Sequence, residues 1–292
     1  MNTTSVPPIR GLLIHMSHYD PVWFANKKNE KPFDLRVGLE VIDAMAQVRL
    51  NMLVIAFSDG VKYRRHPELA RPYSAPMSTV RALVRRAAKH GIEVVPKLNF
   101  SQSGFHHHNE WFRPHHQLFD SPDYWRMGFE VIDEIIANVK PPRFFHIGMD
   151  EDHDRSYDQY VQAILTLHKG LAKRQLRTVI WNDSANLWPC GMIHAEKSML
   201  AEKKLPKSVV QVVWDYAQTK PKVIGRVARK GFELWVAPSP NIPGMMMEAR
   251  RMMKPVGAKG ILLTRWQPMT QATRDGWLNM LASAGPLCSV EV

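Results

Sequence analysis

The sequence predicts a single (β/α)8 barrel, with residues 1–292 forming one catalytic domain. Eight short apolar runs alternate with amphipathic helical segments, and Gly91, Gly231 and Gly260 each stand directly before such a run. Alternation of this kind is typical of a parallel sheet, and eight strand–helix units close a barrel. A doubly wound open sheet is the alternative. It is weakened because no glycine-rich phosphate loop follows the first run.

The predicted strands are nearly continuous in apolar character, as expected for strands buried on both faces. They comprise residues 9–16, 52–57, 92–98, 144–148, 178–181, 209–214, 232–237 and 261–264. Helices are predicted over residues 35–46, 79–90, 122–139, 157–174, 195–203, 222–230, 244–253 and 274–284. Ser78 and Ser121 are the expected N-caps of the second and third helices, because a hydroxyl can accept from the free backbone N–H groups there.

Composition excludes several classes of protein. The net charge is +12, but the basic residues are scattered, which favours a solubilising surface over a nucleic-acid, membrane or anionic-polymer partner. Two cysteines, Cys190 and Cys288, cannot form a disulfide framework. The sequence shows no secretory signal and no apolar run of about 18 residues that could span a bilayer. We therefore expect a cytoplasmic protein without a cofactor, and an oligomer is compatible with the sequence.

Polar and aromatic residues follow the predicted strands, where a barrel builds its active site. They include His15, Asp59, Lys97, Asn99, Asp150, Glu151, Trp181, Asp183, Trp214, Tyr216 and Trp266. Carboxylates and amides suit sugar hydroxyls, while indole rings suit the apolar faces of sugars. The strand ends therefore predict a carbohydrate site. The alternative is that each tryptophan simply fills the space between barrel and helices.

The sharpest local feature is the segment His146-Ile-Gly-Met-Asp150-Glu151. Neighbouring side chains on a strand point to opposite faces, so the two acids can converge only where the strand ends. Two close carboxylates raise the pKa of one of them, which suits a general acid. The alternative is a solvated acidic cluster at the start of the next helix, since Asp152 and Asp154 follow.

These motifs resemble the catalytic barrel of the family 20 glycoside hydrolases, the β-N-acetylhexosaminidases, over nearly the whole chain. The segment 146–151 is similar to the family's His-x-Gly-x-Asp-Glu signature, and Arg10-Gly11 to the motif at its first strand. Residues 50–59 and 91–96 resemble its second and third strands. The three tryptophans Trp181, Trp214 and Trp266 fall where the family places its sugar-stacking aromatic residues.

The resemblance implies a retaining, substrate-assisted glycosidase that removes a terminal N-acetylhexosamine without a metal. Asp150 would orient the substrate's 2-acetamido group, whose oxygen attacks the anomeric carbon. Glu151 would protonate the leaving oxygen and then activate water. Arg10 would hold sugar hydroxyls, and the tryptophans would wall the acetamido pocket and the ring. The implied partner is an amino sugar glycoside.

The chain also departs from the family's pattern. His15 stands where the family usually has Asp, and Lys97 and Asn99 replace an acidic strand end. The family's eighth strand commonly reads Trp-x-Glu, whereas Trp266 here is followed by Gln267 and Pro268. Tyr216 is the candidate for the tyrosine that donates to the acetamido oxygen. Lys97 could select an anionic or sulfated sugar, or could neutralise Asp59 or Asp150.

Two other functions remain open. With the sugar contacts changed, the barrel could bind a glycan without cleaving it. A metal-dependent hydrolase could use residues 106–108 with His115 and His116, or the acidic run 150–154, as ligands.

Overall fold

The computed structural model describes residues 7–17, 30–103, 107–186, 192–217 and 220–289. These residues form a closed barrel of eight parallel strands in chain order, in which β8 pairs with β1. The strands are β1 (Ile9–His15), β2 (Met52–Ala56), β3 (Glu93–Lys97), β4 (Phe144–His146), β5 (Arg177–Asn182), β6 (Val210–Asp215), β7 (Leu234–Pro238) and β8 (Gly260–Thr264). The predicted fold is confirmed, and each predicted strand end lies within two residues of the observed one.

Helices follow the strands and form the outer layer. They are α1 (Leu35–Gln47), α2 (Met77–Lys89), α3 (Pro122–Val139), α4 (Tyr157–Ala172), α5 (Met192–Lys204), α6 (Pro221–Arg229), α7 (Pro243–Val256) and α8 (Arg274–Ala284). The Ser121 hydroxyl caps α3 by accepting from Tyr124 N, as predicted. The prediction for Ser78 was wrong. Pro76 is the N-cap, and its extended backbone starts the helix two residues earlier than expected.

Alternate strand residues build two separate cores. Leu13, Val54 and Val212 belong to the core inside the barrel, whereas Leu53 and Ile55 belong to the core between barrel and helices. Because both faces of each strand are buried, the strand sequences are continuous apolar runs.

Large aromatic rings fill the amino-terminal end of the barrel. Phe144 and Trp235, near the starts of β4 and β7, meet edge to face with ring centroids 5.2 Å apart. Gly260 makes room for the second ring, since a Cβ there would lie 2.6 Å from Trp235 Cγ. The barrel is therefore a packed core at this end, and the carboxyl ends of the strands carry the polar residues.

Three loops at those carboxyl ends recur below. We call them loop 2 (residues 57–76), loop 3 (98–121) and loop 4 (147–156), after the strands that they follow. Loop 3 contains a 3-10 segment, His107–Leu118. Among the described residues, no helix combines the length and apolar character that a membrane crossing requires.

Candidate active site

The carboxyl ends of the strands bring most of the predicted site residues to one end of the barrel. Lys97 and His146 end β3 and β4 and are partners in the sheet register. The other predicted residues placed at these ends are His15, Asn99, Asp150, Glu151, Trp181, Asp183, Trp214, Tyr216 and Trp266. All of these positions therefore lie at the same end of the barrel.

A hydrogen-bond network fixes the Asp150 carboxylate. The Asn99 side-chain amide donates from Nδ2 to Asp150 Oδ1 at 2.6 Å. Asn99 Oδ1 in turn accepts from the backbone N–H groups of Ser101 and Met149, both at 3.0 Å. The Ser101 hydroxyl lies 2.5 Å from the Asp150 carbonyl oxygen. All of these groups are buried, so Asp150 is held in one position by loops 3 and 4 together.

Loop 4 turns sharply to place the two acids. Gly148, Met149 and Glu151 all have positive φ values, of 70°, 74° and 51°. A Cβ at Gly148 would lie 2.2 Å from Asn99 Oδ1, so only glycine fits beside the Asn99 amide. For Met149 and Glu151 this backbone region is uncommon, and such strain is concentrated at functional sites. The turn breaks the alternation of the strand and lets neighbouring side chains face one site.

Asp183 ties the second acid to the aromatic residues. Its Oδ2 accepts from the backbone N–H of Glu151 at 2.8 Å, and its Oδ1 accepts from Trp214 Nε1 at 2.7 Å. Burial raises the pKa of Asp183 well above its ordinary value, and the charges of Asp150 and Glu151 raise it further. Three carboxyl groups therefore share one electrostatic environment, in which burial and the two neighbouring charges favour the protonated form of Asp183.

Aromatic rings line the same end of the barrel. Trp214 and Tyr216 have ring centroids 5.2 Å apart, and Trp266 lies 6.4 Å from Tyr216 and 4.9 Å from His15. Burial raises the pKa of Tyr216, and the charges of Asp150 and Glu151 add to that effect. The tyrosine and both acids therefore belong to one site, where the phenol stays protonated and able to donate.

Lys97, His146 and Trp181 place hydrogen-bond donors inside the barrel. All three side chains are buried, and the His146 and Trp181 rings lie 4.8 Å apart. Among the described residues, Trp181 Nε1 and His146 Nε2 have no hydrogen-bond partner. Burial lowers the pKa of Lys97, while the Asp150 charge opposes that shift. Lys97 thus lies within electrostatic reach of Asp150, as the neutralising alternative in the sequence requires.

His146 is a neutral imidazole in this setting. Its Nδ1 accepts from Gly148 N at 3.0 Å, which leaves the proton on Nε2. Burial, followed by the neighbouring Lys97 charge, lowers the pKa of His146 well below 6.5. Once the pH falls below about 6.5, His146 therefore binds a proton in the unfolded state but not in the folded state.

We expect His146 to reduce stability in acid. Below pH 6.5 it should lower the free energy of unfolding by up to about 1.4 kcal/mol per pH unit. The variant His146→Asn keeps an acceptor for Gly148 N–H but cannot titrate, so its stability should fall less steeply. Urea denaturation of both proteins between pH 5 and 7.5 measures the difference. Equal slopes would show that His146 is not held neutral.

Arg10 lies at the opposite end of the barrel, whereas Asp59 lies in loop 2, just beyond the end of β2. Arg10 stands at the amino end of β1, where it donates to the carbonyl oxygens of Arg49 and Pro7. The prediction that it holds sugar hydroxyls was wrong, because five residue steps along the strand, about 17 Å, separate it from His15 at the carboxyl end. Asp59 is buried within loop 2, where its Oδ2 accepts from the Tyr73 hydroxyl at 2.8 Å.

The acidic run after Glu151 has a structural role of its own. The Asp152 side chain accepts from Arg155 Nη1 at 2.7 Å and from Lys197 Nζ at 3.1 Å. Helix α4 is capped by Ser156 through a capping box, rather than by one of the acids. Neither the acidic cap nor a cation bound by this run is therefore supported, since two cations of the protein already neutralise Asp152.

Several known structures share this barrel, although no protein-family profile and no curated protein sequence matches the chain. A chitobiase from Flavobacterium johnsoniae superposes with a TM-score of 0.70 at 16% identity, over 97% of this chain and 48% of that one. The family 20 β-N-acetylhexosaminidase from Streptomyces coelicolor gives 0.67 at 18%, over 96% and 64%. Dispersin B gives 0.64 at 15%, over 96% and 98%. The chain has the barrel fold of the family 20 glycoside hydrolases.

This likeness confirms the fold that the resemblance implied. The chain spans about half the length of the Flavobacterium chitobiase but nearly all of Dispersin B.

Three residues that support this site were not predicted from the sequence. Ser101 contacts both Asn99 and Asp150, and the Tyr160 hydroxyl donates to the Met149 carbonyl oxygen at 2.8 Å. Arg155 joins loop 4 to the Phe100 carbonyl oxygen in loop 3. Ser101 stands two residues after a strand-end amide, a spacing that favours a local side-chain turn. Nothing in the sequence distinguishes Tyr160 from other core tyrosines.

Proposed function

We propose that this chain is a retaining glycosidase of the β-N-acetylhexosaminidase type, which removes a terminal N-acetylhexosamine by substrate-assisted catalysis. The observation that carries the proposal is the arrangement of Asp150 and Glu151. They are adjacent on a strained turn, one anchored through its carboxylate to Asn99 and the other through its backbone to Asp183. Their neighbours are the aromatic rings of Trp214 and Tyr216, which suit a sugar.

In the first step, the substrate's acetamido oxygen attacks the anomeric carbon. The glycosidic bond breaks, and its electron pair goes to the leaving oxygen, which takes the proton of Glu151. Asp150 accepts a hydrogen bond from the acetamido N–H and stabilises the positive oxazolinium ring. Tyr216, whose phenol stays protonated, donates a hydrogen bond to the acetamido oxygen in this proposal.

In the second step, water attacks the anomeric carbon while the Glu151 carboxylate takes a proton from it. The bond between that carbon and the acetamido oxygen breaks, and the acetamido group is restored. Two inversions at one carbon leave its configuration unchanged. The half-buried position of Glu151, at the edge of the buried Asp150 network, suits a group that exchanges protons with both leaving group and water.

The assay compares two chromogenic substrates that differ at one position. We expect hydrolysis of 4-nitrophenyl N-acetyl-β-D-glucosaminide and none of 4-nitrophenyl β-D-glucoside, which lacks the acetamido nucleophile. Proton NMR at early times should show the β-anomer of the released sugar. Equal turnover of both substrates, or the α-anomer first, would contradict the mechanism. Binding of N-acetylglucosamine without any turnover would instead identify a glycan-binding barrel.

A further inference from the structure

Two histidines and a glutamate converge where loop 2 meets loop 3. Glu68 Oε1 lies 2.9 Å from His66 Nδ1 and 2.8 Å from His115 Nε2. The three potential ligand atoms lie within 4.8 Å of one another. His66 and His115 have side chains that are 8% and 13% exposed, whereas Glu68 is open to solvent on one side. The sequence prediction of histidine ligands included His115 but neither partner.

A second carboxylate orients the buried histidine. His66 Nε2 lies 3.0 Å from Glu130 Oε2 on helix α3. If Nε2 carries the proton and donates it to Glu130, His66 Nδ1 presents a lone pair toward Glu68 and His115. Metal-binding histidines characteristically donate their other ring N–H to a carboxylate in this way. The His115 ring is supported by Phe112, with ring centroids 4.9 Å apart.

We infer that His66, Glu68 and His115 bind a zinc ion, with water as the fourth ligand. Two imidazole nitrogens and one carboxylate oxygen form a ligand set that zinc accepts in tetrahedral geometry. Ligand bonds of about 2.0–2.1 Å place the ligand atoms roughly 3.3 Å apart. The two shortest separations here therefore need to open by about half an ångström, and the widest, at up to 4.8 Å, needs to close by about 1.5 Å, which rotation of the side chains can supply. The exposed side of Glu68 gives the ion and its water a path from solvent.

The ion would hold loop 2 and loop 3 together and would take no part in the proposed sugar cleavage. Its ligands come from loop 2 and loop 3 and are braced by α3 in the outer layer. Loop 3 reaches the site through Trp111, whose Nε1 donates to the Asn99 carbonyl oxygen at 2.6 Å. Holding loops 2 and 3 together would therefore help to fix Asn99, the partner of Asp150. A direct measurement of metal binding tests this zinc site independently of the proposed glycosidase activity.

The test uses the full chain without an affinity tag. After incubation with zinc chloride and removal of excess metal, we expect one more zinc per chain in the wild type than in Glu68→Gln or His115→Ala. His90→Ala is the matched control, because His90 also contacts a single carboxylate, Asp43, but belongs to no group of three potential metal ligands among the described residues. It should retain the wild-type zinc content. Replacing zinc with cobalt should give the visible absorption of a tetrahedral site in the wild type and in His90→Ala, but not in Glu68→Gln or His115→Ala.

Thermal unfolding gives a second readout. Zinc at a hundredfold excess over its dissociation constant should raise the Tm of the wild type by about 5 °C, and EDTA should reverse the rise. The Tm of Glu68→Gln, an exposed and nearly isosteric change, should not respond to zinc. The inference is overturned if wild type and Glu68→Gln hold equal zinc, or if zinc leaves the Tm of both unchanged. The first result would place the metal on other residues, and the second would leave these groups as an ion-pair network.

Discussion

Replacing Glu151 by Gln should lower kcat by about 10²–10⁴-fold on a natural disaccharide. The amide keeps the size of the side chain but can neither protonate the leaving oxygen nor take a proton from water. KM should change little, because the sugar contacts of Trp214 and Tyr216 are retained. Steady-state kinetics on N,N′-diacetylchitobiose measure both constants.

A substrate whose leaving group needs no proton tests the acid role of Glu151 separately. 4-Nitrophenolate leaves without needing a proton, so the first step on a nitrophenyl glycoside should suffer much less than on the disaccharide. Glu196→Gln is the matched control, since this exposed carboxylate accepts a hydrogen bond from the Tyr157 hydroxyl at the surface. It should keep wild-type kcat. An equal loss of kcat/KM on both substrates would argue against Glu151 as the acid, because kcat/KM reports the first step alone. Full activity of Glu151→Gln on both would rule it out.

Replacing Arg155 by Met should lower the free energy of unfolding by about 3–5 kcal/mol. The guanidinium is fully buried and makes two hydrogen bonds to Asp120, one to Asp152 and one to the Phe100 carbonyl oxygen. Methionine fills much of the volume but leaves the buried Asp152 carboxylate with Lys197 as its remaining cationic partner among the residues that the structure describes. Urea denaturation at pH 7 measures the loss.

An exposed ion pair provides the comparison. Arg36 bonds Glu40 one turn along α1 with a side chain that is 83% exposed, so Arg36→Met should change stability by less than about 0.5 kcal/mol. If both variants lose the same small amount, the buried pair contributes no more than a surface one. A large loss for Arg155→Met alone would show that the contact between loops 3 and 4 depends on this buried charge.

The barrel could be predicted because its signal is local. Each strand is an apolar run of a few residues, and Gly91 and Gly231, at φ values of 67° and 82°, end the preceding helices in a backbone region that favours glycine. The acid pair could be found for the same reason, since Gly148, Asp150 and Glu151 are contiguous in the chain. These features depend on neighbours in sequence and need no knowledge of distant contacts.

The remaining features of the site depend on long-range pairing. The role of Arg10 was implied by the resemblance of a first-strand motif, but Arg10 stands at the amino end of β1, away from the carboxyl ends that carry the site. Arg155 and Asp120 are 35 residues apart, and His66 and Glu130 are 64 apart. No pattern along the chain joins such residues. Only the packing of loops around the closed barrel brings them within hydrogen-bond distance.

The hydrogen bonds of the Asn99 amide determine which oxygen of the Asp150 carboxyl group can carry a proton. Because the amide oxygen already accepts two backbone N–H groups, the side chain cannot rotate by 180° without setting donor against donor. Its NH₂ group therefore always faces Asp150 Oδ1, and that oxygen must act as an acceptor. A proton arriving at this carboxyl has to sit on Oδ2. The two oxygens are thus inequivalent before any ligand arrives, and an aspartate at position 99 would abolish that asymmetry by repelling Asp150.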